Sequence, residues 1–490
     1  MKETGNSETA PGSERPSEAA EDERRHWPRR RLLRWALGLV PVAAGGTWAT
    51  VQWLGRPMDP SRDDNGEPDG PVDGWRAEAG LERGGAPKDM PDARTLAARW
   101  TDEAAGFCFA RHPGTSARLG FALKSLESYA PARLMYVCWF MEQGEWDSAR
   151  EDLHHPSLRD TPEARLLLDL AERRARSLDW RHAFFEAWKA LGRPDFSKST
   201  LLPAPLEVDH LLVHAHMDWE QADEARRFPL AVLALGNLEQ RADWGLQQVR
   251  ASTSVPLLLA LRAHLLLLDT QRMSQRQHLL SAVEERLDQL AGPSPRTLQL
   301  ALRAFLAGGS PETPLVRRDL ETLEQLVTLP EWKHPSSERF YLEMRERFEG
   351  LLFIPHHHAW LLATLAQGVP LGEALLRRAR ASKAHLPEDE QRWLGRLLWE
   401  VGARLREQRS RLELETGLRL QMFGSELTGH SPTRMDSIAL WVELGQWEEA
   451  VKQAAFYRWP LASLQEESCD PRARDEHAWL RAFAGKGELP

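Results

Sequence analysis

From about Pro91 onward, apolar residues recur at i, i+3, i+4 and i+7, the spacing of one buried helix face, and strand-type runs of β-branched residues are absent. The stretches Arg133 to Gln143, Ala164 to Ser177, His182 to Leu191, Leu257 to Leu268 and Ile438 to Leu444 carry the pattern most clearly. Roughly eighteen helices with short connections are expected. Pro162, Pro295 and Pro432 each follow a Ser or Thr, the pairing of an N-cap with the first helical position. Glu388 to about Leu427 reads as one long helix, or as two with a break near Gly402. Leu257 to Leu268 is apolar but too short to cross a membrane and contains Arg262 and His264, so it reads as a buried helix.

Upstream the pattern changes. Residues 1–34 are rich in Glu, Ser, Pro and Gly and end in six arginines: Arg24, Arg25, Arg29, Arg30, Arg31 and Arg34. Such a segment buries too little surface to offset the entropy of folding and is expected to be a disordered cytoplasmic tail. Residues 35–55 carry no charge, and at ~1.5 Å per residue they reach about 30 Å, a bilayer's hydrocarbon thickness. Trp35 and Trp53 stand near the two ends, where indole rings favour the interface. The arginines should stay cytoplasmic, so a transmembrane helix here places the rest of the chain across the inner membrane, in the periplasm. No Ala-x-Ala cleavage site is present, which favours an uncleaved signal-anchor over a cleaved signal peptide. The arginine-rich tail before it and the linker after it argue against the buried helix of a soluble protein. Residues 56–91 are acidic and punctuated by Asp59-Pro60, Asp63-Asp64-Asn65-Gly66 and Gly84-Gly85-Ala86-Pro87. They read as a flexible linker.

The flank of the apolar segment resembles a twin-arginine export signal. Arg29 and Arg30 match the pair, Arg31 the variable position, Leu32 and Leu33 follow, and Arg34 takes the basic place; Pro28 departs from the usual Ser or Thr. The resemblance implies export of a folded chain to the same compartment.

A second pattern recurs within the helical region, residues 92–490. Gly144-Glu145-Trp146-Asp147-Ser148-Ala149 and Gly445-Gln446-Trp447-Glu448-Glu449-Ala450 share Gly-x-Trp-x-x-Ala, and Leu178-Asp179-Trp180-Arg181-His182-Ala183 keeps the Trp and Ala. Trp146 and Trp180 are 34 residues apart. These residues resemble the tetratricopeptide repeat, whose inter-helix turn has this form and period. The resemblance implies an all-α, irregular helical-hairpin solenoid. In such a turn Gly ends the first helix, the aromatic covers the junction and the small Ala lets the helices approach. The late aromatic of the repeat is replaced by Leu153, Ala187 and Ala454, and no further copy is clear between Ala183 and Gly445. An unrelated helical domain with the same turns is the alternative.

Charge and chemistry narrow the function. A net charge of −9 without a basic cluster beyond the membrane flank argues against nucleic acid. Cys108, Cys138 and Cys469 are too few for a disulfide framework and read as buried thiols, with a Cys108–Cys138 bridge the alternative. Twenty tryptophans suggest helix-junction packing before sugar-stacking platforms. His210 and His214 share a helix face, but His216 points about 240° away from His210 and the Glu of an HExxH motif is missing. His356-His357-His358 must diverge on a helix, and His154-His155 suits a helix C-terminus. Glu388-Asp389-Glu390 suits a first helical turn, Ser116 fits no nucleophile elbow and Gly485-Lys486-Gly487 no phosphate loop. No residue is therefore assigned to catalysis, cofactor or metal, and no enzyme is expected. The composition, rich in Arg, Trp, Leu and Ala, looks bacterial. The sequence points to a membrane-anchored periplasmic helical-repeat scaffold that binds other envelope proteins. The alternatives are a polysaccharide-acting enzyme on a closed helical toroid and a membrane-linked regulator.

Overall fold

A computed structural model describes residues 92–485 except 110, 113, 177–178, 205–207, 268–274, 311 and 352–354, and the side chains of 208–213, 267 and 431–433. The expected tail, anchor and linker therefore lie outside the described residues. The described part is all helical apart from one isolated parallel bridge, Thr297 to Glu331.

The first helices are α1 (Ala93–Phe109), α2 (Thr115–Ser125), α3 (Ala130–Gln143), α4 (Trp146–Leu153), α5 (Pro162–Arg174) and α6 (Trp180–Ala190). Next come α7 (Val208–Gln221), α8 (Glu224–Leu233), α9 (Leu235–Gln240), α10 (Ala242–Ala251), α11 (Val255–Leu267) and α12 (Arg276–Ala291). They are followed by α13 (Leu298–Ala307), α14 (Arg317–Leu326), α15 (Ser337–Arg347), α16 (Pro355–Leu365) and α17 (Val369–Ser382). The last are α18 (Glu388–Arg406), α19 (Arg411–Thr428), α20 (Ser431–Gln453) and α21 (Ala462–Phe483).

The turn at Gly144 has the form the repeat pattern requires. Gly144 adopts φ 77°, its N–H donates to Met141 O, and the Glu145 N–H donates to Phe140 O at 2.9 Å. This is the Schellman arrangement, open to glycine because it lacks a Cβ. Ala149 and Ala183 are buried, and the rings of Trp146 and Trp180 meet with centroids 5.9 Å apart. The 34-residue spacing thus brings equivalent tryptophans of successive hairpins into contact.

Gly445-Gln446-Trp447 is different. It lies inside the continuous helix α20, where Gly445 is exposed and turns nothing. The expectation of a third inter-helix turn here is corrected: Trp447 is a buried core residue of a helix face, in the same cluster as Trp180, Phe456, Trp459 and Trp479. Proline signals also divide. Thr161 caps α5 by accepting from the Ala164 N–H, with Pro162 following, whereas α13 begins after Thr297 rather than at Pro295, and α20 begins after His430.

Not all packing is between sequence neighbours. The last helix, α21, lies against α1, α6, α15 and α16 as well as α20. One core cluster consequently joins α3 to α6 with α19, α20 and α21. Long-range caps fix the same junction. The Glu142 carboxylate accepts from the Ser463 N–H and Oγ–H at 2.9 and 2.8 Å, at the start of α21. Glu467 of α21 accepts from the Trp180 N–H at 2.6 Å, at the start of α6.

One stretch of the described residues, Pro355–Ser382, is long and apolar enough by length and composition to cross a membrane, and 67% of its most apolar window is buried. It lies mid-chain and not at the N-terminus. The helix breaks at residues 366–368, and its two parts, α16 and α17, pack on α8, α11, α15 and α21 and on α13 and α19 respectively.

Helices α18 and α19 pack backbone against backbone. Gly395 and Gly402 on one helix face Gly424 and Gly417 on the other, each pair seven residues apart and so on one face. A Cβ at Gly402 would sit 2.6 Å from the Gly417 carbonyl oxygen, and one at Gly424 would sit 2.5 Å from that of Gly395. Gly402 is thus a contact point inside α18 and not a break; the chain turns at residues 407–410 instead. Below this pair, the buried Glu413 carboxylate takes both oxygens to Lys333 Nζ at 2.7 Å and accepts from the Gly368 N–H and the Ser410 hydroxyl.

Gly402→Ala and Gly417→Ala should each destabilise the fold by about 1–3 kcal/mol or more through overpacking. Gly445→Ala, which meets nothing within 4 Å, should stabilise it by roughly 0.5–1 kcal/mol. Urea unfolding of the three variants measures both signs. Lys333→Met, which leaves Glu413 buried without its cation, should cost about 3–5 kcal/mol in the same assay.

Candidate functional site

The α18–α19 turn helps to form a cleft. Ser410 caps α19 by accepting from the Glu413 N–H, and Arg409 before it adopts φ 60°. The first N–H of α19, from Arg411, is taken by Glu476 of α21 at 2.9 Å. That contact depends on a break in α21 at Asp475, whose carboxylate caps the second half of the helix through the Ala478 N–H. Arg409 pairs with Asp475 at 3.3 Å, closing the corner.

Between these elements lies a cleft of about 330 Å³. Trp399, Ala403 and Arg406 come from α18, Leu414 and Gln421 from α19, Leu440 from α20 and His477 from α21. Leu414 and Gln421 are buried at its floor, while Trp399 is 36% exposed. Arg406 Nη1 donates to Gln421 Oε1 at 2.7 Å. His477 packs on Trp447 with ring centroids 4.9 Å apart, and its Nε2 is buried without a hydrogen-bond partner. Burial lowers the His477 pKa; Arg481 and Arg406 act in the same direction, against Asp475 and Glu443. The imidazole is therefore neutral at neutral pH. Glu407, at the exposed rim, is the one carboxylate in the lining. The cleft offers apolar walls and fixed donors, and it lacks the paired carboxylates of a glycosidase.

The histidines singled out in the sequence go to separate places. His356 Nδ1 lies 3.8 Å from Asp470, which also accepts from the Tyr341 hydroxyl and pairs with Arg345 at 2.7 Å. His357 is pushed down to about 3, first by burial and then by Arg472. His358 lies 3.7 Å from Asp218, both buried, tying α16 to α7. His216 meets Asn237 at 2.7 Å, His210 has no described side chain, and His155 meets Ser157. His264 in α11 meets the Val232 carbonyl at 2.7 Å, and burial lowers it to about 4. No group of three or more metal-type ligands converges among the described residues.

The cysteines are all buried free thiols, and burial raises the pKa of each. Glu388, Asp389 and Glu390 occupy the first turn of α18, and Ser116 lies in the first turn of α2. Lys486 and Gly487 lie outside the described residues. No sequence motif marks the cleft; the signal for the helix pair behind it is the seven-residue spacing of the glycines within 395–424.

No protein-family model matches the chain, and neither a curated protein nor a solved structure matches it.

The most perturbed acid pair is structural. Asp179 and Glu467 both accept from backbone N–H groups at the start of α6. Burial, followed by the Asp179 side chain after an opposing backbone hydrogen bond, raises Glu467 to about 7, while Asp179 is lowered. Because the folded pKa lies above the unfolded value, the contribution of Glu467 is full below pH ~4.5 and is lost as pH rises through 7. Glu467→Gln should therefore flatten the decline in stability between these limits, as read by melting temperature against pH in both proteins. An unchanged slope would assign the decline to other groups.

Proposed function

We propose that this chain is a membrane-tethered periplasmic helical-repeat scaffold whose α18–α21 cleft binds a protein partner of the bacterial envelope. The observation that carries this reading is the cleft itself, with a partly exposed tryptophan and an apolar wall on a glycine-locked helix pair. A concave, preorganised, partly apolar surface is what recognition of a segment needs. The contact of Trp146 with Trp180 supports repeat-like stacking in the first hairpins. The uncharged residues 35–55 and their arginine flank support the tether and its orientation.

The return of α21 onto α1 and α6 favours a second reading, an enzyme built on a closed helical body. That reading requires reacting groups in a cleft, and the lining here supplies a lone rim carboxylate.

A photo-crosslinking residue in place of Trp399, introduced in the full-length protein in cells, should yield one or a few discrete adducts after detergent extraction. The same probe at exposed Phe121, on α2, serves as the surface control. Identical adduct patterns at both positions, or none at Trp399, would remove the cleft from the function. A phosphatase fused to the C-terminus should be active if the bulk of the chain is periplasmic, and inactive if it is not.

A further inference from the structure

Several partly or fully buried arginines among the described residues are held by carboxylates or by sets of backbone carbonyls, and Arg406 at the cleft is one that is not. Arg303 is held by Glu284 and Asp288, Arg411 by Glu415 and Glu448, and Arg133 by Asp152. Arg458 donates to backbone carbonyls of Pro203, Ser197, Ser199 and Leu202 at 2.6 to 2.8 Å. Arg406 has only the neutral amide of Gln421, with no carboxylate in ion-pair reach among the described residues. A guanidinium half out of water gains most from a planar anion that takes two of its remaining donors.

The surroundings define the rest of that anion. Arg409 is spent on Asp475, and Glu407 on Arg404 at 3.8 Å, so Arg406 is the unneutralised charge in the lining. Next to it, Ala403, Leu414, Leu440 and Trp399 present an apolar wall, and His477 completes the lining. The volume, about 330 Å³, is at the lower end of ligand pockets and suits one apolar residue with its terminal carboxylate.

We infer that the cleft captures the carboxyl terminus of a partner polypeptide ending in an apolar residue. Arg406 holds the carboxylate, and the wall of Trp399, Leu414 and Leu440 takes the last side chain. This rests on the reading of the cleft as a protein-binding site and adds the chemistry of the bound end.

The test titrates the full-length protein in detergent with acetyl-Ala-Ala-Ala-Leu as the free acid and as the C-terminal amide. The acid should bind about tenfold or more tightly, the value of a charge-assisted pair. Arg406→Gln should abolish the difference. Arg406→Lys, which keeps charge and stem against Gly417, should retain part of it if the variant is folded by its melting temperature. Equal binding of acid and amide, lost in Trp399→Ala, would overturn carboxylate capture while leaving the cleft as a protein site. Octanoate binding as tightly as the peptide would assign the cleft to small carboxylates and overturn the peptide terminus. No binding of either peptide would overturn the inference, and the Trp399 crosslinks separately decide the broader reading.

Discussion

The interface between α18 and α19 depends on four glycines, and much of the C-terminal half depends on that interface. With Gly395 against Gly424 and Gly402 against Gly417, the two backbones approach until each carbonyl occupies the space a methyl would need. Close approach of this kind lets a helix pair pack with little side-chain entropy lost, and it leaves no slack for sliding. The register is therefore fixed at both ends of the pair. Once fixed, it sets where the turn at 407–410 falls, where Ser410 caps α19, and where Arg406 emerges beside Gln421.

The second constraint is electrostatic and joins distant parts of the chain. Three helix starts are completed by carboxylates from elsewhere: α21 by Glu142, α6 by Glu467 and α19 by Glu476. Each satisfies N–H groups that a helix cannot satisfy internally and meets the positive end of its dipole. Because the partners are some 65 to 320 residues apart, these caps form only when the tertiary structure does. The buried Glu413–Lys333 pair acts in the same way between α19 and the segment before α15. Such contacts explain why α21 is integrated with the first helices. In a pure nearest-neighbour array it would be a terminal cap.

These constraints mark the limit of what the sequence discloses. Helical periodicity was legible because it follows from local spacing, and so was the Gly144 turn, where a positive φ requires the glycine. Gly445 has the same local signature within a helix, since a Gly-x-Trp-x-x-Ala string does not encode whether its glycine ends a helix or merely rides on its solvent face. Gly402 misled in the opposite direction: a glycine suggests a break until its partner, fifteen residues on, is known to oppose it. The cleft was invisible for a related reason. Its lining comes from four helices, and no residue in it belongs to a recognisable chemical motif.

Hydropathy alone gives two apolar stretches, residues 35–55 and Pro355–Ser382, and physical chemistry separates them. The latter contains Glu373, Arg377, Arg378 and Arg380, and Arg378 is buried. Its guanidinium donates to the Thr313 carbonyl at 3.1 Å and pairs with Asp319 at 3.5 Å. Lipid would offer neither partner, and an ionised side chain at that depth is costly. The apolar surface of this stretch is already matched by Leu and Ala faces of its neighbours. Residues 35–55 carry no such charge, and the neighbouring arginines stand outside the apolar run. The case for a membrane contact therefore rests on that segment, and the mid-chain stretch owes its apolarity to the core it helps to build.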